Sequence, residues 1–151
     1  MAGDVELTNR VRVAVLERTI ETGSVPTAPE LSARLGLGET EVMEAYRALG
    51  EGHVYVLEPS DQTRLRMANP FSAVATDFVV TVRGRRYFGN CAWDALGIVS
   101  LLGGEGTVST RCPDCQDELT LRVADRKLVD AEGIVHFSVP ARRWWDDIVF
   151  T

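Results

Sequence analysis

The sequence has few cysteines, no long apolar run and no excess of positive charge. Its 151 residues include 3 cysteines, an odd number that excludes a complete disulfide framework. No stretch approaches the roughly 18 consecutive apolar residues of a membrane span, and the acidic N-terminal residues lack the layout of a secretory signal. We therefore expect a cytoplasmic protein with reduced thiols.

Residues 1–68 predict a helical domain that ends in a short hairpin. Thr8 or Asn9 is expected to cap the first helix. Thr27, with Glu30 three residues later, predicts the start of a second helix. A third helix and two short strands follow. Three helices and a hairpin are the pattern of a winged helix-turn-helix.

The charge of this first domain argues against DNA as a partner. Residues 1–70 contain 7 Arg and no Lys against 11 Asp and Glu, and the whole chain carries a net charge of −6. The helix in the recognition position carries Glu39, Glu41 and Glu44, with only Arg47 opposing them. Because phosphate contacts supply most of the affinity for DNA, we expect a structural or dimerising module, and a homodimer is left open.

Residues 69–151 predict a second domain, an α+β domain with one helix on an antiparallel or mixed sheet. The proline of Asn69-Pro70 marks the boundary between the two domains. A helix is expected over 92–102, and strands around 76–82, 107–111, 118–123, 134–139 and 148–150.

A cysteine and an acid lie three residues apart at the start of the predicted helix, in Asn90-Cys91-Ala92-Trp93-Asp94. At that spacing both side chains lie on one helical face and reach a common ligand. The unpaired amides of a helix N-terminus favour a thiolate at Cys91. The alternative is a small buried cysteine beside an acid that only complements the helix dipole.

A second motif, Cys112-Pro113-Asp114-Cys115, is predicted to form a turn between two strands. It resembles half of a zinc site, which normally has four ligands. Three interpretations remain open: binding of Hg, Cu or Zn with Cys91 as a further ligand, a reversible disulfide, and two packed thiols.

Aromatic residues are the candidates for a pocket wall. Trp93 and Trp145, with the neighbouring Trp144, are expected either to line an apolar pocket over Cys91 or to pack in the core. Asp146 is a candidate pocket residue that would supply a hard oxygen ligand.

Two stretches resemble the organomercurial (alkylmercury) lyase family. They are Asn69-Pro70-Phe71-Ser72-Ala73-Val74 and Arg85-Arg86-Tyr87-Phe88-Gly89-Asn90-Cys91-Ala92-Trp93-Asp94-Ala95-Leu96. Val108-Ser109-Thr110-Arg111-Cys112 also resembles this family, which commonly has a cysteine of mainly structural importance there.

The resemblance implies protonolysis of a carbon–mercury bond, or of a related carbon–heteroatom bond, without an organic cofactor. Cys91 would bind the metal and Asp94 would carry the proton. The family's second catalytic cysteine is expected near 144–147, where this sequence has none, so the resemblance implies a divergent member. The expected partners are an organomercurial or other hydrophobic small molecule and small thiols. The alternatives are a non-enzymatic metal-binding thiol protein and a metal-sensing winged-helix regulator.

Overall fold

The computed structural model describes residues 2–129 and 133–149. The predicted α+β class with antiparallel sheets is confirmed, and the chain begins with three helices and a hairpin. A capping box joins Thr27 and Glu30, with the Thr27 backbone N–H donating to the Glu30 carboxylate at 2.7 Å. The helices are α1 (Ala2–Thr22), α2 (Ala28–Leu35) and α3 (Glu39–Glu51), and the hairpin strands are β1 (Tyr55–Glu58) and β2 (Asp61–Ala68).

The first helix starts earlier than the sequence predicts. We expected a cap at Thr8 or Asn9, but α1 already begins at Ala2. That expectation was wrong because Leu7 packs against the first hydrophobic core. A tertiary contact thus stabilises helical turns that the local capping pattern does not include.

The strands of the described chain form two antiparallel sheets. The first has the order β1-β2-β3 and the second the order β5-β4-β6-β7-β8. An isolated bridge between Phe71 and Gly89 joins the two sheets. The further strands are β3 (Phe71–Ser72), β4 (Val79–Val82), β5 (Arg85–Phe88), β6 (Gly106–Arg111), β7 (Glu118–Ala124) and β8 (Lys127–Val129).

The buried side chains form two clusters that meet at α1. One cluster belongs to the first three helices and the β1-β2 hairpin, and the other begins at Phe71 and fills the second sheet. Leu16 and Ile20 of α1 pack against the second cluster. The carbonyl of Ile20 accepts hydrogen bonds from Tyr87 Oη at 3.0 Å and Arg85 Nη1 at 2.9 Å. The helical unit therefore rests on β5, the strand that leads to the Cys-x-x-Asp motif.

A fourth helix, α4 (Ala92–Leu101), covers one face of the second sheet. Its side chains Ala95, Ile98 and Val99 are fully buried, and α4 packs against β4 and β6. Cys91 and Asp94 lie at the start of α4, so the packing of this helix fixes their position.

Gly89 lets α4 approach the end of β5, and we expect Gly89→Ala to destabilise the protein. A Cβ atom at Gly89 would lie 2.8 Å from the backbone N and Cα atoms of Ala95. Because backbone cannot move aside cheaply, the free energy of unfolding should fall by about 1–3 kcal/mol, measured by urea denaturation.

Gly97→Ala is the matched control for this prediction, because nothing lies within 4 Å of a Cβ atom at this position in α4. It should leave the free energy of unfolding unchanged or raise it by up to about 1 kcal/mol, through better helix propensity. Equal stability of the two variants would contradict the close approach.

The segment after β8 differs from its prediction. Residues 134–139 and 148–149 form no strand, and Phe150, the last residue of the second predicted strand, lies outside the described residues. A 3-10 helix, Ala141–Asp146, occupies the middle of the segment. The described residues of these predicted strands pair with no strand, and Phe137, Ile148 and Val149 instead line a cavity at the start of α4. Within the described residues, no helix is long and apolar enough to span a membrane.

Candidate active site

Cys91 lies at the N-cap of α4, immediately after the bridge that joins the two sheets. Its backbone is extended, with φ −151° and ψ −179°, and its carbonyl accepts the Ala95 N–H at 2.9 Å, which begins the helix. The thiol is half-buried. The sequence thus turns from strand to helix at the cysteine, and the sulfur is held by secondary structure on both sides.

Asp94 lies in the first turn of α4, where Asn90 orients its carboxylate. The side-chain amide of Asn90 donates to Asp94 Oδ2 at 2.9 Å. The same amide nitrogen lies 3.2 Å from Asn69 Oδ1 and 3.4 Å from the carbonyl of Pro70. The carboxylate is therefore tied to the junction between the two sheets.

The environment shifts the pKa values of both groups upward. Burial raises the pKa of Asp94, although the Asn90 hydrogen bond acts in the opposite direction. Burial also raises the pKa of the Cys91 thiol, against the lowering effect of the Asp94 and Trp93 amides. Desolvation of the sulfur thus opposes the thiolate that the helix N-terminus was predicted to favour.

A cavity of about 270 Å³ opens over these two groups. Cys91 and Asp94 both line it, together with Trp93, whose side chain is 69% exposed at the surface. The other lining residues come from β2, from the junction that follows it, from the turn between β5 and α4, and from the segment after β8: Met67, Asn69, Asn90, Phe137, Trp144, Trp145, Ile148 and Val149. The wall opposite the thiol is thus mainly aromatic and aliphatic.

The aromatic wall is held by contacts that are distant in sequence. The rings of Trp145 and His53 stack with centroids 4.2 Å apart and an interplanar angle of 8°. Trp144 donates its indole N–H to the Val139 carbonyl at 2.8 Å and packs on Phe137 at a centroid distance of 5.2 Å. These contacts hold the 3-10 helix against His53, with two indoles at the cavity.

The residues predicted to line a pocket do not all do so. Trp93 and Trp145 line the cavity, whereas Asp146 does not. The Asp146 carboxylate instead accepts a hydrogen bond from Arg143 Nε at 2.9 Å, and its side chain is 62% exposed. The assignment of Asp146 to the pocket was wrong because the turn of the 3-10 helix that directs Trp144 and Trp145 inward directs Asp146 to solvent.

The three cysteines do not come together. Cys112 and Cys115 lie in the turn between β6 and β7 and are absent from the wall of the cavity. Among residues 2–129 and 133–149, no group of three or more His, Cys, Asp or Glu side chains is arranged to hold a metal ion. A metal site shared by Cys91, Cys112 and Cys115 is therefore not formed, because the hairpin turn holds its two thiols outside the cavity.

Sequence reasoning did not assign functional roles to Asn90 and Met67. Asn90 precedes Asp94 by four residues, a spacing that could have suggested contact across one helical turn. Met67 brings a second sulfur atom to the cavity from β2, and no local pattern connects it with Cys91. In the described part of the chain no other cysteine lines the cavity.

These features define an α+β protein with one thiol and one carboxyl group in an aromatic cavity at a helix N-terminus. The family model of alkylmercury lyase (MerB) matches residues 71–151, and the chain belongs to this family.

The fold is similar to that of a crystal structure of the mercury-bound form of MerB2, with a TM-score of 0.60 and 19% sequence identity. The match covers 85% of this chain and 66% of that chain. No curated protein matches the sequence.

Proposed function

We propose that this protein is a lyase of the alkylmercury lyase type that cleaves a carbon–mercury bond by protonolysis. One observation carries the proposal: the Cys91 thiol and the Asp94 carboxyl line the same largely apolar cavity in a chain of this family. A soft sulfur ligand selects a soft metal, and a carboxyl group with a raised pKa is suited to general acid–base work.

The first step is capture of the organomercurial by Cys91. The sulfur forms a bond to mercury, the ligand trans to the organic group leaves, and the thiol proton passes to the Asp94 carboxylate. Burial has raised the pKa of that carboxylate, which makes it a better proton acceptor than an exposed aspartate. In this proposal the thiolate forms as mercury binds.

The second step is protonation of carbon by Asp94. The electron pair of the carbon–mercury bond takes up the carboxyl proton, the hydrocarbon leaves, and the carboxylate is regenerated. Mercury(II) stays on the Cys91 sulfur until two small thiols from solution bind it as thiolates, and the Cys91 sulfur takes up a proton as it leaves the metal. The aromatic wall excludes water, which strengthens the interaction between the carboxyl group and the developing charge.

Release of hydrocarbon from a simple organomercurial, in the presence of excess small thiol, tests the proposal. Purified protein should form the protonated product in repeated turnovers, which gas chromatography measures. Mercury that stays on the protein without any product would favour a non-enzymatic thiol protein and contradict the proposed function.

Asn90 is a positioning residue in this proposal, and Asn90→Ala should shift the pH dependence of turnover. Its amide stabilises the ionised form of Asp94 through the 2.9 Å hydrogen bond, so its loss leaves burial unopposed and raises the pKa of Asp94 further. Transfer of the thiol proton in the first step needs the carboxylate form of Asp94. The acidic limb of the pH–rate profile should therefore move to higher pH.

Asn90→Asp is not a suitable control for this variant, because it adds a second charge. Thr76→Val keeps the carboxylate environment while removing a neighbouring hydrogen bond, from Thr76 Oγ1 to the Gly89 carbonyl at 2.6 Å. If the acidic limb of the pH–rate profile moves equally in Asn90→Ala and Thr76→Val, the cause is loosening of the junction between the sheets and not loss of the Asn90 amide.

The division into domains 1–68 and 69–151 belongs to this proposal as well. The two hydrophobic clusters separate near that point, with Ala68 in the first and Phe71 in the second. The first domain would act as a structural module of winged-helix type that supplies Met67 to the cavity and His53 to the Trp145 stack. The acidic side chains Glu39, Glu41 and Glu44 are exposed on α3, which supports a role other than DNA binding.

A further inference from the structure

The turn between β6 and β7 holds two cysteines in an ordered loop at the surface. The Cys112 N–H donates to the Asp117 carbonyl at 2.9 Å, and the Gln116 N–H donates to the Cys112 carbonyl at 2.9 Å. Gln116 adopts a left-handed conformation with φ 63°. Hydrogen bonds thus close the loop around the two thiols, and Cys112 is half-buried while Cys115 is exposed.

The two sulfur atoms interact with each other and differ in acidity. The backbone N–H groups of Cys115 and Asp114 lower the pKa of Cys112, and the Cys115 thiol lowers it further. The Asp117 backbone N–H lowers the pKa of Cys115, but the Asp117 carboxylate, 3.2 Å from its sulfur, and the Cys112 sulfur outweigh this and raise it. The two thiols are therefore neighbours in one turn, with the Asp117 carboxylate beside Cys115.

The number of available ligands decides which metal ions fit. Zinc in a structural site takes four ligands, and two thiols alone do not satisfy it. No third His, Cys, Asp or Glu completes a metal-binding group around the turn, within the parts of the chain that the structure describes. Two thiolates without a third ligand are suited to a soft metal ion that can be bound by two sulfur atoms alone.

The turn lies at the same end of the second sheet as Cys91. Val79 of β4 pairs with Phe88 of β5 on one side and with Ser109 of β6 on the other. Cys91 follows Phe88 by three residues and Cys112 follows Ser109 by three, and both strands run toward this end. The dithiol does not line the cavity, so it is separate from the candidate active site.

We propose that Cys112 and Cys115 form a second site, on the surface, that binds a soft thiophilic metal ion as a two-coordinate dithiolate. The choice of mercury(II) as this ion rests on the proposed function. On binding, two sulfur–mercury bonds form and the ligands that mercury carried leave; the Cys112 proton passes to solvent, and Asp117 is placed to accept the proton of Cys115. A mercuric ion that leaves Cys91 then meets a chelating dithiol at the same end of the sheet.

The test uses inorganic Hg²⁺ and protein that carries Cys91→Ser, so its outcome does not depend on carbon–mercury cleavage. Native mass spectrometry should show one mercury ion per chain that is retained against excess small monothiol. Adding Cys112→Ser or Cys115→Ser should lower the monothiol concentration that removes half of the mercury by roughly tenfold or more, because chelation is lost.

Adding Asp114→Asn to the Cys91→Ser protein is the matched control, since it alters the same turn and keeps both sulfur atoms. It should retain mercury like its parent. Unchanged retention of mercury after loss of either cysteine would overturn the proposal. Binding of one zinc ion between two chains, with no mercury bound, would also overturn it. Urea denaturation of each variant shows whether the fold is intact, and a folded variant without chelation supports the site.

Discussion

Cys91→Ser is expected to abolish release of hydrocarbon from an organomercurial, with a loss of roughly 10³-fold or more in turnover. The serine hydroxyl is a hard ligand of far higher pKa than a thiol, so it neither selects mercury nor gives up its proton on binding. No other cysteine lines the cavity within the described residues, so no neighbouring thiol takes over. Gas chromatography of the product, in the presence of excess small thiol, measures the loss.

The Cys91→Ser result is interpretable because the substitution changes one atom at a half-buried position. Gly97→Ala, on the same helix but away from the cavity, serves as the control and should keep wild-type turnover. Product formation at more than a tenth of the wild-type rate in Cys91→Ser would remove Cys91 from the mechanism.

Asp94→Asn is expected to lower turnover by roughly 10²- to 10⁴-fold, the range for loss of a positioned general acid–base group. Mercury capture should survive, because the Cys91 sulfur is still present and its proton can pass to water instead of Asp94. The amide oxygen of the new side chain can still accept the hydrogen bond that Asn90 donates at 2.9 Å. Retention of mercury on the protein and release of hydrocarbon, measured in the same single-turnover sample, separate the two roles.

Stability offers an independent check on Asp94→Asn. The folded-state pKa of Asp94 is raised, so the ionised carboxylate destabilises the fold at any pH above that value. This penalty disappears as the pH falls through the folded pKa. Asp94→Asn should therefore be at least as stable as the wild type at neutral pH, which excludes unfolding as the cause of lost turnover.

Asp77→Asn, an exposed acid in the loop before β4, is the matched control and should change neither capture nor turnover. If Asp94→Asn loses capture and turnover to the same extent, Asp94 acts in metal binding and the separate roles proposed for Cys91 and Asp94 are wrong.

The sequence by itself predicted the features that depend on neighbouring residues. Thr27 and Glu30 are three residues apart, and they form the capping box at the start of α2. The three-residue spacing of Cys91 and Asp94 is enough to predict that both side chains lie on one turn of a helix. The α+β class also followed from local hydrophobic patterns, since those patterns reflect which face of each element is buried.

The tertiary structure alone decided the features that depend on distant residues. The stack of Trp145 on His53, and the cavity that Met67 and Cys91 both line, join segments that no sequence period relates. Residues 134–139 and 148–149 form no strand for the same reason, because a β-rich segment becomes a strand only where a partner strand is available. The pKa shift of Cys91 is also opposite in direction to the expected one. The helix N-terminus that lowers the pKa is a local feature, whereas the burial that raises it depends on the whole fold.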